Sequence, residues 1–157
     1  MDAIELLKKD HETVKALLGR LTDTTERAVK TREKLLQQIE IELQVHTTLE
    51  ERIFYPAFTQ AGGKDETVLT AEAKEEHRAV DSLVLPDLKQ TLPSSLEFSG
   101  RIKVLKEMLE HHIEEEESDM FPKAAKLLGK QKLEELGDEM AAMQMTLKND
   151  LQAAAAA

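Results

Sequence analysis

The chain contains no cysteine and no tryptophan, and aromatic side chains make up only 3% of its 157 residues. Without thiols there is no disulfide framework, no iron–sulfur cluster and no thiolate zinc site. The shortage of aromatics, set against abundant Leu, Ala, Glu and Lys, favours helices over sheet. No apolar run is long enough to span a bilayer, and the start Met1-Asp2-Ala3-Ile4-Glu5 does not read as a signal peptide. A cytoplasmic location is therefore expected. Positive charge is in deficit: the formal net charge of −10 argues against nucleic acid and anionic membrane surfaces as partners. What is present, 33% charged and 41% hydrophobic residues, fits one soluble globular domain with a sizeable core, expected as a monomer.

Apolar residues recur at helical spacing along most of the chain. A first helix is expected from Ala3 to the low twenties, with Ile4, Leu7, His11, Val14, Leu18 and Leu21 inward. The Thr22–Thr25 run reads as a turn or as the start of the next helix, with Asp23 or Thr24 as candidate caps. A second helix runs from about Lys30 to Phe58, with Pro56 expected to kink or end it, and Ala61-Gly62-Gly63-Lys64-Asp65 reads as a loop. The third begins near Thr67–Ala71, carries Leu69, Ala73, His77, Val80 and Val84, and bends or ends at Pro86. The fourth follows a Ser cap and spans Leu96 to about Lys126; a fifth carries Leu133, Leu136, Met140, Met143 and Leu147. The terminal alanine run is expected to fray. The fold class expected is all-α, an up-down-up-down four-helix bundle (residues 3–126) with an additional C-terminal helix (131–150).

Two stretches organise this pattern. His46 to Pro56 and His112 to Pro122 both read His-x3-Glu-Glu-x3-aromatic-Pro. Leu36, Ile39 and Leu43 precede the first at the offsets at which Ile102, Leu105 and Leu109 precede the second. A four-residue step turns a helix only ~40°, so His46 with Glu50, and His112 with Glu116, continue the apolar stripe inward. The context repeats upstream as well: Asp10-His11-x-x-Val14 matches Glu76-His77-x-x-Val80, and both pairs of histidines, 11 with 46 and 77 with 112, are 35 residues apart. One inward histidine thus comes from each helix of the bundle, and one inward glutamate from the second and the fourth.

Four imidazoles and two carboxylates in a core carry a desolvation penalty that packing does not offset. A pair of metal ions removes it. Four histidines and two bridging glutamates leave two six-coordinate ions short of a full set. A bridging oxo or hydroxo group and one open position on each ion complete it. Mixed imidazole and carboxylate donors suit iron or manganese better than calcium, and zinc, usually four-coordinate, fits the count less well. The Glu-x-x-His spacing of ferritin-like bundles is absent: Lys8, Leu43, Lys74, Met108 and Leu109 stand three residues before the histidines.

From Asp10 to Pro122 the sequence resembles the hemerythrin-like, or HHE cation-binding, domain. The resemblance implies a non-haem di-iron site bridged by two carboxylates, with His11, His46, Glu50, His77, His112 and Glu116 as metal ligands and small molecules such as O2, peroxide, NO or anions as partners. Five-histidine oxygen carriers of that family have a further histidine where this chain has Ala73, and place the last carboxylate where it has Glu117. The missing imidazole moves the expectation from reversible oxygen carriage towards a peroxidase- or oxidase-type reaction. The alternatives are an oxygen or iron sensor or carrier without turnover, and a purely structural metal.

The neighbouring polar residues are assigned to other roles. His111 lies about 100° from His112 and reads as a surface residue. Glu51 and Glu117, ~140° from their histidines, are second choices as ligands, and Asp81 is expected to face water. Tyr55 and Phe121 are expected opposite the metal-facing stripe, as packing residues. Metal binding is expected to strengthen as pH rises from about 5 to 7, because imidazole must be neutral to coordinate.

Overall fold

Asp2 Oδ1 accepts from the Glu5 amide and Glu5 Oε2 accepts from the Asp2 amide, both at 2.9 Å, so the first helix opens with a reciprocal cap. The computed structural model describes residues 1–157 and contains helices and turns but no strand. Helix α1 is Ala3–Thr22. Helix α2 (29–61) joins Val29–Leu49, a π-helical turn at Glu50–Phe54, and Tyr55–Ala61. Helix α3 (64–89) has the same make-up: Lys64–Ala79, a π turn at Val80–Val84, and Leu85–Lys89. Helix α4 starts at Leu96, capped by the Ser95 hydroxyl, and passes through a third π turn at Glu116–Met120. Gly129, at φ 76 and ψ 168, breaks it from α5, which continues to Ala156. That backbone conformation suits glycine because a side chain would be strained there.

Four long helices thus run up-down-up-down, and α5 packs across α1 and α2. The expected stripes are inward: Leu7, Val14, Leu18, Leu21, Ile39, Leu43, Ile102, Leu105 and Leu109 are all buried. Several details differ from expectation. Helix α3 begins at Lys64, where Glu66 accepts from the Gly63 amide at 2.9 Å. Neither Asp23 nor Thr24 caps α2; Ala28 stands there without a side-chain bond, and Thr24 Oγ1 instead accepts from Arg32 Nε at 2.9 Å. The alanine run stays helical to Ala156, as the high helix propensity of alanine allows.

The prolines do not end their helices. Each of Pro56, Pro86 and Pro122 stands two residues after a π turn. Proline offers no amide and crowds the carbonyl four residues back. A preceding i→i−5 turn, closed by the Tyr55, Leu85 and Phe121 amides on the carbonyls of Glu50, Val80 and Glu116, widens the helix there and lets it continue.

The core is divided. One apolar cluster includes Leu7, Leu49, Phe54, Phe58, Phe121 and Ala124; the other includes Val14, Leu18, Leu35, Ile39, Phe98 and Leu105. Along every bundle helix the inward histidine falls between the two.

Candidate metal centre

The polar layer between the clusters contains all six inward residues singled out from the sequence. His11, His46, Glu50, His77, His112 and Glu116 are each 8% exposed or less. Donor atoms of His11, His46, Glu50 and Glu116 lie within 4.8 Å of one another, and so do those of Glu50, His77 and His112. Glu50 Oε1 is 3.2 Å from His46 Nε2 and 3.1 Å from His77 Nε2. Glu116 Oε1 is 3.2 Å from both His11 Nε2 and His112 Nε2. Each glutamate therefore reaches one histidine of either pair, and each pair comes from consecutive helices.

All four rings turn Nε2 inward and Nδ1 to a second carboxylate. His11 Nδ1 is 2.8 Å from Glu117, His46 Nδ1 3.1 Å from Asp10, His77 Nδ1 2.9 Å from Glu51 and His112 Nδ1 2.8 Å from Glu76. Hydrogen bonding at Nδ1 fixes each ring so that its other nitrogen is presented to the centre. Glu51 and Glu117 thus stand one layer out. The doubled Glu-Glu of the motif divides its work: the first residue points inward and the second orients a histidine on another helix. Asp10 and Glu76, each immediately before a histidine, do the same for the helix that follows. Straight-helix geometry does not reveal this outer ring, because its contacts cross between helices.

Tyr55 corrects an expectation. The π turn between Glu50 and Tyr55 adds one residue to the turn and swings the phenol onto the site. Its hydroxyl donates to Glu116 Oε2 at 2.7 Å, with Glu50 Oε1 at 3.2 Å and His77 Nε2 at 3.4 Å. The ring stacks on His77 with centroids 5.7 Å apart, and Phe121 stacks on His11 at the same spacing. The sequence signal was the aromatic-Pro that closes both motifs. His111 is exposed and 3.2 Å from Glu115, and Asp81 is exposed too, as expected.

Electrostatics follow from this packing. Burial works against a charged His46, but Glu50 and Asp10 outweigh it and hold its pKa up at about 10. His77 and His112 are raised in the same way against their burial, by Glu50 and Glu51 and by Glu116, Glu50 and Glu76. Burial would lift Glu50, yet the surrounding imidazoles hold it well below the ordinary carboxylate range. Burial and the two neighbouring carboxylates push the Tyr55 phenol well above 10.

Two buried atoms lack an aligned hydrogen bond: His46 Nε2, although Glu50 Oε1 is 3.2 Å away, and Glu50 Oε2. Orphans of this kind are rare in a core and costly. Both point into the converging donors, and a coordinated cation would satisfy them. The histidine and carboxylate set fits that role. Beside His77 and His112 a cavity of about 330 Å³ has Leu43, Val80, Leu85, Met108 and Leu109 in its walls.

Known proteins resemble this chain in sequence and, in one solved structure, in fold. Uncharacterized proteins of Mycobacterium tuberculosis and Mycobacterium bovis are 32% identical over 143 residues, 90% of this chain and 84% of each relative. The crystal structure of a hemerythrin HHE cation-binding domain-containing protein from Mycobacterium kansasii superposes with a TM-score of 0.83 at 32% identity, covering 96% of this chain and 89% of that one. The family model for the hemerythrin HHE cation-binding domain matches residues 2–124, a span that includes every residue of the buried polar layer and its outer ring. The chain belongs to the hemerythrin HHE cation-binding domain family.

Proposed function

We propose that the chain holds two iron ions, one between His11 and His46 and one between His77 and His112, bridged by Glu50 and Glu116. The loaded centre, in this reading, reacts with oxygen, peroxide or nitric oxide. The observation that carries it is the pair of buried atoms without an aligned hydrogen bond, His46 Nε2 and Glu50 Oε2, at the point where the donors converge. Mixed nitrogen and oxygen donors, too few to saturate two six-coordinate ions, favour iron or manganese over calcium and zinc.

When bound, the ions supply Lewis acidity and one-electron redox chemistry. The protein contributes the rest. Asp10, Glu51, Glu76 and Glu117 hold the imidazoles in place. The cavity beside His77 and His112, whose walls mix Leu43, Val80, Leu85, Met108 and Leu109 with Glu40, Gln44, Thr47, Glu76 and Asp81, has room for small molecules. Tyr55 holds a proton at Oη, on the hydrogen bond to Glu116 within the buried donor layer. Ala73 is buried in the apolar cluster that also contains Tyr55, so the position of a fifth imidazole is occupied by packing. A proton held at the site and the unfilled ligand count together favour turnover over carriage.

Metal analysis and stopped-flow mixing of the diferrous protein with oxygen test this reading. About two irons per chain and an irreversible optical change are expected. A spectrum that bleaches fully on degassing, over many cycles, would instead identify reversible carriage. Zinc in place of iron in protein made with both available would remove the redox reading.

A further inference from the structure

The two halves of the centre are not equally supported. The four carboxylates that hold Nδ1 differ in exposure: the Asp10 side chain is 9% exposed, against 23% for Glu76, 32% for Glu117 and 41% for Glu51. Asp10 is also held from outside the bundle. Gln144 Nε2 on α5 donates to Asp10 Oδ1 at 2.9 Å, while Asp10 Oδ2 faces His46 Nδ1 at 3.1 Å. Glu76, the repeat counterpart of Asp10, has no such partner; its other neighbour is the exposed His111 at 3.6 Å. Helix α5 packs chiefly on α1 and α2, the Asp10 side of the internal repeat.

The docking of α5 is close. At Gly137 an added Cβ would lie 2.4 Å from the Met1 carbonyl oxygen, so helix and N-terminus touch through backbone. Lys148 pairs with Glu42 at 3.3 Å one turn beyond Gln144. The backbone contact at Gly137, not that partly exposed ion pair, sets where the half-buried Gln144 amide reaches Asp10.

We infer that Gln144 is a positioning residue for the His11/His46 metal position: it holds Asp10, Asp10 holds His46, and that position is the slower of the two to release its ion. The inference rests on the two-ion reading above. A carboxylate with one oxygen already engaged keeps a single geometry for the imidazole, so His46 has less freedom to swing away once its metal bond breaks. Removing an outer partner of a ligand typically costs about 10- to 100-fold in metal affinity. Gln144 acts one step further out, so a smaller effect is expected.

The test is release of iron from anaerobic diferrous protein to excess ferrozine, preceded by metal analysis. Wild-type protein should release two irons in two phases. Gln144→Met, which keeps bulk but loses the donor, should speed the slow phase about 3- to 10-fold and leave the fast phase unchanged. Gln144→Lys, which restores a donor, should return the slow phase towards the wild-type rate. Mössbauer spectra of the 57Fe-loaded Gln144→Met protein should change at one of the two iron sites only. Lys148→Ala loosens the same helix without touching Asp10 and should leave both phases alone. Equal acceleration of both phases in Gln144→Met, or equal effects of Gln144→Met and Lys148→Ala, would reduce the residue to helix docking and overturn the inference. So would an unaltered slow phase with two irons bound, whereas one iron per chain would overturn the two-ion reading as well.

Discussion

Tyr55 Oη lies 2.7 Å from Glu116 Oε2, a residue 61 positions along the chain on a different helix. The contact ties the second motif to the first at the buried centre. It exists because a π turn separates Tyr55 from Glu50; on a straight α-helix the phenol would face away.

Tyr55→Phe removes that donor and leaves a buried carboxylate one bond short. Hydrogen bonds to charged groups contribute about 1.5–3 kcal/mol, so apo protein should lose stability of that order in urea unfolding. In iron-loaded protein the reaction with peroxide should slow and its solvent isotope effect should fall. An unchanged isotope effect would remove Tyr55 from the proton path.

Inner and outer carboxylates should separate in metal titrations. Glu50→Ala and Glu116→Ala are expected to bind well under two irons even with metal in excess. Glu51→Gln and Glu117→Gln should still reach two, with affinity lowered about 10- to 100-fold, as for other outer partners of ligands. Full loading of Glu116→Ala alongside failure of Glu117→Gln would exchange their roles.

The pH response of the apo protein follows from the raised imidazoles. A histidine whose folded pKa is raised adds stability that is complete below its unfolded value, 6.5, and is lost as pH climbs through the folded value, about 10 for His46. Apo protein should therefore become less stable between those limits. Glu50 works oppositely: its folded pKa is depressed, so its contribution holds above 4.5 and goes as pH falls through the lower folded value. Metal must displace the imidazole protons. The gap in Tm between loaded and apo protein should therefore go on widening from pH 7 towards 10, whereas ordinary histidines would let it level off near 7. Thermal melts at half-unit pH steps decide between the two windows.

Far from the centre, Arg32 is 2% exposed and donates to the Pro93 carbonyl at 2.6 Å, to Thr24 Oγ1 at 2.9 Å and to Ser99 Oγ at 2.8 Å, with its guanidinium 5.1 Å from the Phe98 ring centroid. It joins the loops at that end of the bundle. Arg32→Ala leaves several acceptors unpartnered, at about 1–3 kcal/mol each, and Arg32→Lys should restore only a part because an ammonium lacks the planar fork. Iron content should not change, which distinguishes a stability residue from a site residue.

The helices and the six inward residues were legible because both rest on a single period: 3.6 residues per turn brings His46, Glu50 and their repeat partners onto the apolar stripe. What the period does not encode was not legible. Proline at 56, 86 and 122 signals a break in a uniform helix, yet a π turn absorbs each one, and the same turn reverses the facing of Tyr55. The outer roles of Asp10, Glu51, Glu76 and Glu117 depend on which helices adjoin, as does the bond from Gln144 to Asp10. Arg32 gave no signal either, since a lone arginine at an inward position is indistinguishable from a surface residue until the loops close over it.

The division of the core has a bearing on how such a molecule is assembled. Each apolar cluster draws on several bundle helices, so either end can hold the helices together while the layer between them is still empty of charge-neutralising ions. In the two-ion reading, the chain would therefore fold before it is loaded. Bound metal would then add to a stability that the two apolar ends already supply.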